Sequence, residues 1–179
     1  MNKKILILGV NGMLGERFAS ILSNLPDYEV VGSSVEPGTK IPIQYYECNI
    51  ADGLAIDSLV SSVKPHFVIN AAAYTNVDLS ETNRDLAYSI NVKGVENICN
   101  AVNKIGSHLI HFSTDYVFDG KNGPYSEDDP TNPVSFYGKT KLEGERIVTN
   151  ELARYTIFRI NVLYGISFYG RPDFVRWVV

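Results

Sequence analysis

The sequence predicts an α/β fold in which helices cover both faces of a parallel β-sheet. Two observations support this prediction. Short apolar runs rich in Ile, Val and Leu, typical of strands buried on both faces, alternate with longer segments whose apolar residues recur at helical spacing. A turn with glycines at every third position follows the first apolar run and leads into the first helical segment. Chains with this alternation fold as doubly wound sheets.

The predicted strands are the short apolar runs, taken in chain order. They cover residues 4–8, 28–32, 41–46, 66–69, 109–112 and 155–160. Amphipathic segments between them predict helices over residues 13–25, 54–63, 85–105 and 137–150. The third helix is the longest because its apolar residues keep near-helical spacing throughout.

Two segments do not fit the alternation of strands and helices. Residues 119–133 contain three prolines, two glycines and four acidic residues. Loops of this length in compact α/β domains are often functional or else disordered. Residues 173–179 are apolar and predict the start of a further helix.

Composition fits one globular domain, residues 1–179, and excludes several functions. The chain is 45% apolar and 20% charged, with a net charge of −4 and no basic cluster, so we expect no nucleic-acid partner. The apolar N-terminal run stops at Gly9, too short for a signal peptide or a membrane span. We therefore expect a cytoplasmic protein with no membrane partner.

Cysteine and histidine residues do not predict a metal site. Cys48 and Cys99 are isolated, which excludes a disulfide framework and a paired-cysteine metal motif. His66, His108 and His111 lie in or beside strands and lack the spacing of metal ligands. We expect no bound metal.

The glycine-rich turn reads GVNGMLG over residues 9–15 and has the dinucleotide-binding form GxxGxxG. Gly9 permits the tight turn, Gly12 lets the backbone approach a pyrophosphate at the helix N-terminus, and Gly15 allows the helix to pack closely on the strand. Glycines at a strand end can also serve the turn alone. The βαβ pattern behind this turn favours a Rossmann-like fold that binds NAD(H) or NADP(H).

The end of the second strand affects the choice between these cofactors. An acidic residue there usually accepts a hydrogen bond from the adenosine ribose 2′-hydroxyl, but Ser33 and Ser34 occupy the position and Glu36 lies beyond it. Serine does not repel a 2′-phosphate. No arginine is nearby to hold that phosphate, although Lys40 could reach it. The sequence therefore predicts loose discrimination that leans toward NADP(H).

Tyr137 and Lys141 are four residues apart and share one face of the last predicted helix. This pattern alone is weak because exposed pairs of this kind are common. Thr114, however, ends the preceding strand, and ligands bind at the carboxyl ends of parallel strands. The three residues predict ketone reduction by a nicotinamide hydride. Tyr137 would donate the proton, Lys141 would lower the pKa of Tyr137, and Thr114 would orient the carbonyl.

Six segments carry a resemblance to a known family. They are GVNGMLG at 9–15, NAAAYTNVD at 70–78, INVKGVENI at 90–98, STDYVFDG at 113–120, YGKTKLEGE at 137–145 and FRINVLYG at 158–165. Together they resemble the extended short-chain dehydrogenase/reductase family, and in particular its members that reduce the 4-keto group of a dTDP-sugar with NAD(P)H. The resemblance implies a C-terminal substrate-binding part, which we expect to be missing from this chain, and allows a homodimer.

The resemblance also implies roles for particular residues. The catalytic residues would be Thr114, Tyr137 and Lys141. The cofactor-binding residues would be Gly9, Asn11, Gly12, Met13, Leu14, Gly15, Ser34, Asn49, Ile50, Ala72, Ala73, Tyr74, Phe112, Tyr137 and Lys141. The substrate-binding residues would be Thr114, Asp115 and Val162. The chain departs from the family at Ser34 and Asn49, where relatives carry acids beside the ribose and the adenine.

Two other functions stay open at this point. Nucleotide-sugar epimerases and dehydratases of the same superfamily keep NAD bound, but the dehydratases carry Thr-Asp-Glu where this chain has Thr114, Asp115 and Tyr116. A regulatory subunit that resembles the family and binds methionine adenosyltransferase is a non-catalytic alternative. Intact catalytic residues argue only weakly against it.

Overall fold

The computed structural model describes residues 2–165 and 167 and contains a six-stranded parallel sheet in the order β3-β2-β1-β4-β5-β6. The strands are β1 (Lys3–Leu8), β2 (Tyr28–Ser34), β3 (Gln44–Glu47), β4 (Phe67–Asn70), β5 (His108–Thr114) and β6 (Tyr155–Ile160). The α-helices are α1 (Met13–Leu22), α2 (Gly53–Val63), α3 (Val77–Thr82), α4 (Arg84–Tyr88), α5 (Gly94–Ile105) and α6 (Phe136–Glu151). This strand order is that of the Rossmann fold, so the predicted doubly wound sheet is confirmed.

The sheet separates two apolar layers because successive side chains of a strand point to opposite faces. Leu6 and Leu8 of β1 pack into the larger layer, which includes the buried residues of α2 and α5. Ile5 and Ile7 pack into the smaller layer, around Ala19 of α1. The β1 run therefore has no polar face from Ile5 to Leu8, and this is why such a central strand can be found in the sequence.

The strand order reverses beside β1, and this reversal positions the site. β1 pairs with β2, where Leu8 is opposite Ser33, and with β4, where Leu8 is opposite Asn70. The chain first leaves β1 toward β2 and later returns to β4 on the other side. The connections therefore diverge at the carboxyl ends of these strands, which opens a crevice for a ligand.

The helix predicted over residues 85–105 is interrupted. A π-helical segment, Ser89–Lys93, lies between α4 and α5. Asn91 is buried in this wide turn, accepts a hydrogen bond from the Tyr74 N–H at 2.8 Å, and donates to the Tyr74 carbonyl and the Thr140 hydroxyl. Apolar spacing could not reveal this interruption because the π-turn serves a polar side chain. The short helix α3 was also not predicted.

Some boundaries differ from the predicted ones for local reasons. α1 ends at Leu22 rather than at residue 25, and Pro26 disfavours helical backbone at Leu25. β3 covers Gln44–Glu47 rather than 41–46, since Pro42 has no N–H for a strand ladder. β2 continues to Ser34, which lies opposite the last residue of β3.

Specific bonds hold the long loop over residues 119–133. Asp119 accepts hydrogen bonds from the Tyr125 hydroxyl at 2.6 Å and the Asn132 amide at 3.0 Å. Arg159 of β6 donates to the Glu127 carbonyl and forms a salt bridge at 2.8 Å with Glu145 of α6. The loop is therefore bonded to β6 through Arg159, and the same arginine joins β6 to α6.

The helix start predicted over residues 173–179 lies outside the described residues. In the part of the chain that is described, every helix is too short or too polar to cross a membrane.

Candidate active site

A cavity of about 490 Å³ lies at the carboxyl ends of the central strands. The N-terminus of α1 forms one wall, and α6 with the segment after β6 forms another. Predicted site residues from all parts of the chain line it: Gly12, Met13, Leu14, Ala72, Ala73, Phe112, Thr114, Asp115, Tyr137, Lys141 and Val162. The fold therefore brings the predicted catalytic residues and the glycine-rich turn to one place.

The three glycines of the turn differ in what surrounds them. Gly9 has a φ of +76°, and a Cβ there would lie 2.6 Å from the Ala72 nitrogen. A Cβ on Gly15 would lie 2.3 Å from the Gly9 carbonyl oxygen. A Cβ on Gly12 would meet the same oxygen at 3.3 Å and no other described atom within 4 Å. Gly9 and Gly15 thus allow close backbone packing, whereas Gly12 leaves open space facing the cavity.

The N-terminus of α1 provides backbone donors beside this open space. Gly12 is the N-cap residue, and no described side chain caps this end of the helix. The Gly9 and Val10 N–H groups donate to the Ser33 carbonyl at 2.8 and 3.0 Å, which fixes the turn against β2. An uncapped helix N-terminus on a fixed turn suits a phosphate group.

Thr114, Tyr137 and Lys141 meet on the opposite wall. Thr114 is the last residue of β5, while Tyr137 lies in the first turn of α6 and Lys141 one turn further on. The Thr114 hydroxyl is a hydrogen-bond partner of the Tyr137 phenol, and it also donates to the Asp115 carboxylate at 3.0 Å. The Lys141 ammonium donates to the Phe112 carbonyl at 2.6 Å. All three side chains are buried.

The electrostatics of the pair differ from the prediction. Burial raises the pKa of the Tyr137 phenol, the Asp115 charge acts in the same direction, and the bond to Thr114 only partly opposes them. The prediction that Lys141 lowers this pKa is therefore wrong. The Lys141 ammonium is held on the Phe112 carbonyl, and burial lowers its own pKa to about 8, with the Glu145 charge opposing that shift.

Seven of the predicted cofactor residues lie outside the cavity lining: Gly9, Asn11, Gly15, Ser34, Asn49, Ile50 and Tyr74. Ile50 is buried against the α5 side of the sheet, whereas Asn49 is exposed and accepts a hydrogen bond from the Ala51 N–H at 3.0 Å. Tyr74 is held through its backbone by Asn91. Ser34 is the last residue of β2, and Asn11 of the turn bonds the segment that follows it, at Glu36 and Gly38.

Sequence reasoning missed two features of the site. Asn70 ends β4, lines the cavity, accepts a hydrogen bond from the Ala72 N–H at 3.2 Å and lies 3.2 Å from Nδ1 of the buried His111. Asn161 and Leu163, beside the predicted Val162, also line the cavity. The position of Asn70 at the end of a strand was the available signal. The sequence offers no comparable signal for the residues after β6.

Comparison with known proteins agrees with this arrangement. The chain is 38% identical over 163 residues to the dTDP-4-dehydrorhamnose reductase of Aggregatibacter actinomycetemcomitans, an alignment that covers 90% of this chain and 52% of that protein. It is 35% identical over 165 residues to the methionine adenosyltransferase 2 subunit beta of Bos taurus, covering 92% of this chain and 48% of that protein. The chain thus spans about half the length of these relatives.

A solved structure shares the fold. The dTDP-4-dehydrorhamnose reductase of Bacillus anthracis, crystallised in complex with NADP, superposes with a TM-score of 0.81 at 32% identity, over 94% of this chain and 57% of that one. The model of the family described as RmlD substrate binding domain matches residues 3–179. The resemblance found in the sequence is therefore confirmed, and the chain belongs to the RmlD substrate-binding-domain family.

Proposed function

We propose that this chain is the NAD(P)-binding, catalytic part of a reductase that acts on the 4-keto group of a dTDP-sugar, most closely dTDP-4-dehydrorhamnose. The observation that carries the proposal is the meeting of Thr114, Tyr137 and Lys141 on one wall of a cavity whose other wall is the phosphate-binding turn. Relatives with the same fold and up to 38% identity are dTDP-4-dehydrorhamnose reductases, which supports the choice of reaction.

The residues present fit a dinucleotide. The open space beside Gly12 and the uncapped N-terminus of α1 suit the pyrophosphate, which the Met13 and Leu14 backbone would hold. Ala72, Ala73 and Phe112 would line the path from there to the catalytic wall, and Lys141 would hold the ribose nearest the reacting ring. When bound, NAD(P)H supplies the hydride. The related enzyme from Bacillus anthracis, crystallised with NADP, supports this assignment.

The protein residues would control the proton. When the carbonyl carbon of the ketone gains the hydride, the C–O π electrons become a lone pair on the oxygen. Tyr137 would then donate its phenolic proton to that oxygen. Burial keeps the phenol protonated at neutral pH because it raises the pKa. Thr114, already bonded to the phenol, would hold the same oxygen. Solvent would then reprotonate the phenolate that is left behind.

The sugar nucleotide would lie on the side of Asp115 and Val162. Asp115 follows Thr114 directly and accepts its hydrogen bond, so a substrate hydroxyl could take over that contact. Val162 is 58% exposed in the cavity mouth and offers an apolar surface. These roles are the ones that the resemblance implies, and they are part of the proposal, as are a homodimer and a cytoplasmic location.

The test is steady-state reduction of dTDP-4-dehydrorhamnose by wild-type protein and by Tyr137→Phe, using the whole product if the reading frame continues past Val179. Removal of a positioned acid should lower turnover by about 10²–10⁴-fold and leave NADPH affinity nearly unchanged. Tyr155→Phe, which removes a hydroxyl from an exposed tyrosine of β6, is the matched control. Retention of more than about a third of wild-type turnover by Tyr137→Phe would contradict the assignment.

A second candidate is a regulatory subunit, because the methionine adenosyltransferase 2 subunit beta of Bos taurus is 35% identical over 165 residues. The two functions predict opposite results. A reductase oxidises NADPH in the presence of the keto sugar and needs no protein partner. A regulatory subunit gives no turnover and instead co-purifies with a methionine adenosyltransferase mixed with it at micromolar concentration.

A further inference from the structure

A carboxylate lies at the end of β2 even though the strand itself ends in serines. Glu36 is two residues past Ser34, and the chain turns there so that the Glu36 side chain points back toward the phosphate-binding turn. The Asn11 amide of that turn donates to Glu36 Oε2 at 3.1 Å and to the Gly38 carbonyl at 2.8 Å. The phosphate-binding turn and the acid are thus directly linked.

Several further contacts fix this position. Ser34 is a side-chain hydrogen-bond partner of the Glu36 carboxylate. The Tyr45 hydroxyl of β3 contacts the carbonyls of both Ser34 and Glu36, which holds the backbone in its turned path. Burial works to raise the pKa of Glu36, but the hydrogen bonds from Ser34, the backbone and Asn11 outweigh it and lower the pKa. The carboxylate is therefore ionised at neutral pH.

The adenosine half of a dinucleotide would have to pass this group. Its pyrophosphate would lie at the open space beside Gly12. The turn that carries Gly12 is bonded to the end of β2, and the resemblance implies an adenine near Asn49 and Ile50, so the ribose would cross the end of β2. A carboxylate there accepts a hydrogen bond from a ribose 2′-hydroxyl and repels a 2′-phosphate. The rim of the site thus has the charge of an NAD(H) site.

We propose that Glu36, held by Asn11 and Ser34, selects NAD(H) over NADP(H) in this protein. The proposal rests on the proposed function, since it assumes that the cavity binds a dinucleotide. It is the opposite of the weak preference for NADP(H) that the sequence predicted. That prediction depended on the serine at the end of the strand. The chain supplies the acid from two residues further along, through a turn that spacing alone does not show.

The experiment measures the dissociation constants of NADH and NADPH for the 179-residue chain by titration calorimetry. Glu36→Gln keeps the size of the side chain and its contact with Asn11 but removes the charge. Glu29→Gln is the matched control, because Glu29 lies at the other end of β2 in an exposed salt bridge with Lys4. Wild-type protein should bind NADH at least about tenfold more tightly than NADPH.

Glu36→Gln should reduce this ratio by about tenfold, mainly through tighter NADPH binding, and Glu29→Gln should leave it unchanged. Added salt should also reduce the wild-type ratio and have little effect on the Glu36→Gln ratio, a response that a purely structural role would not give. A third variant, Lys40→Gln, tests whether Lys40, the cation nearest to Glu36 along the chain, contributes to NADPH binding.

A wild-type preference for NADPH, or a ratio that Glu36→Gln leaves within about twofold of wild type, would overturn the proposal while the nucleotide site stands. Loss of NADPH binding in Lys40→Gln beside an unchanged ratio in Glu36→Gln would assign the choice to Lys40 instead. Failure of both cofactors to bind wild-type protein would overturn the nucleotide site and this proposal with it.

Discussion

The two halves of the cavity are built differently. The half that would face the cofactor, here called the cofactor-facing half, consists of backbone packed on backbone: the turn at Gly9 lies against Ala72, and its N–H groups are bonded to β2. The half that would face the sugar, here called the sugar-facing half, consists of side chains on connecting segments, with Tyr116 42% and Val162 58% exposed. Rigid packing suits the part of the reaction shared by every dinucleotide enzyme, whereas exposed loops suit the part that sets the substrate. Mutations in the two halves should therefore have effects of different kinds.

The largest stability effect should come from the turn. Gly15→Ala would place a Cβ 2.3 Å from the Gly9 carbonyl oxygen and 2.8 Å from the Val10 Cα. Neither backbone atom can move without separating α1 from β1, so we expect a loss of about 3 kcal/mol in the free energy of unfolding. Gly12→Ala, whose Cβ points toward open space, should cost less than about 1 kcal/mol. Urea unfolding of both variants measures the contrast, and equal losses would mean that the two glycines have the same role.

Lys141 links the halves, and its effect depends on pH. The pKa of Lys141 in the folded chain is about 8, below that of an unfolded lysine near 10.4. Between these values the unfolded chain binds a proton that the folded chain does not, so the free energy of unfolding rises with pH across this window. Below about pH 8 Lys141 is charged in the folded chain as well, so the full cost of burying that charge lowers the free energy of unfolding. Lys141→Met should therefore be more stable than wild type at pH 7, by up to about 3 kcal/mol.

The same variant should bind the cofactor more weakly and turn over more slowly. The difference in unfolding free energy between wild type and Lys141→Met, measured from pH 7 to 10.5, isolates this lysine from other groups that titrate there. It should shrink as the pH rises. A constant difference over that range would mean that the Lys141 pKa is unshifted.

The smallest effect should come from the sugar-facing half. Val162→Ala removes exposed methyl groups, so it should change the free energy of unfolding by less than about 0.5 kcal/mol and leave NADH and NADPH affinities unchanged. Any effect should appear in KM for the sugar nucleotide. A loss of cofactor affinity in this variant would contradict the division of the cavity into two halves.

The sequence was informative where a feature depends on local pattern. The apolar run 4–8 and the close packing at Gly9 and Gly15 were predicted correctly because strand burial and close backbone packing dictate residue type directly. The meeting of Thr114 with Tyr137 also followed from pattern, since strand ends and helix faces are predictable.

Features that depend on a long-range polar contact could not be read in this way. The π-turn places the Asn91 side chain where it bonds the Tyr74 backbone, and the position of Glu36 depends on Asn11 and Tyr45. The pKa of Tyr137 was predicted in the wrong direction because burial, which the sequence does not quantify, raises it, and the Asp115 charge acts in the same direction. Polar partners distant in sequence leave no periodic signal.

The central claim, that the turn at residues 9–15 binds a dinucleotide pyrophosphate, is tested most directly by Gly12→Val. The backbone of Gly12 has a φ of −77°, which valine can adopt, and its Cβ would meet only the Gly9 carbonyl oxygen, at 3.3 Å. The variant should therefore fold with a melting temperature within a few degrees of wild type, roughly the effect of 1 kcal/mol. Its side chain would fill the space that the pyrophosphate needs. Titration calorimetry should show NADH and NADPH binding to wild-type protein and at least about tenfold weaker binding to the folded variant. Unchanged affinity in a folded Gly12→Val protein would contradict the account.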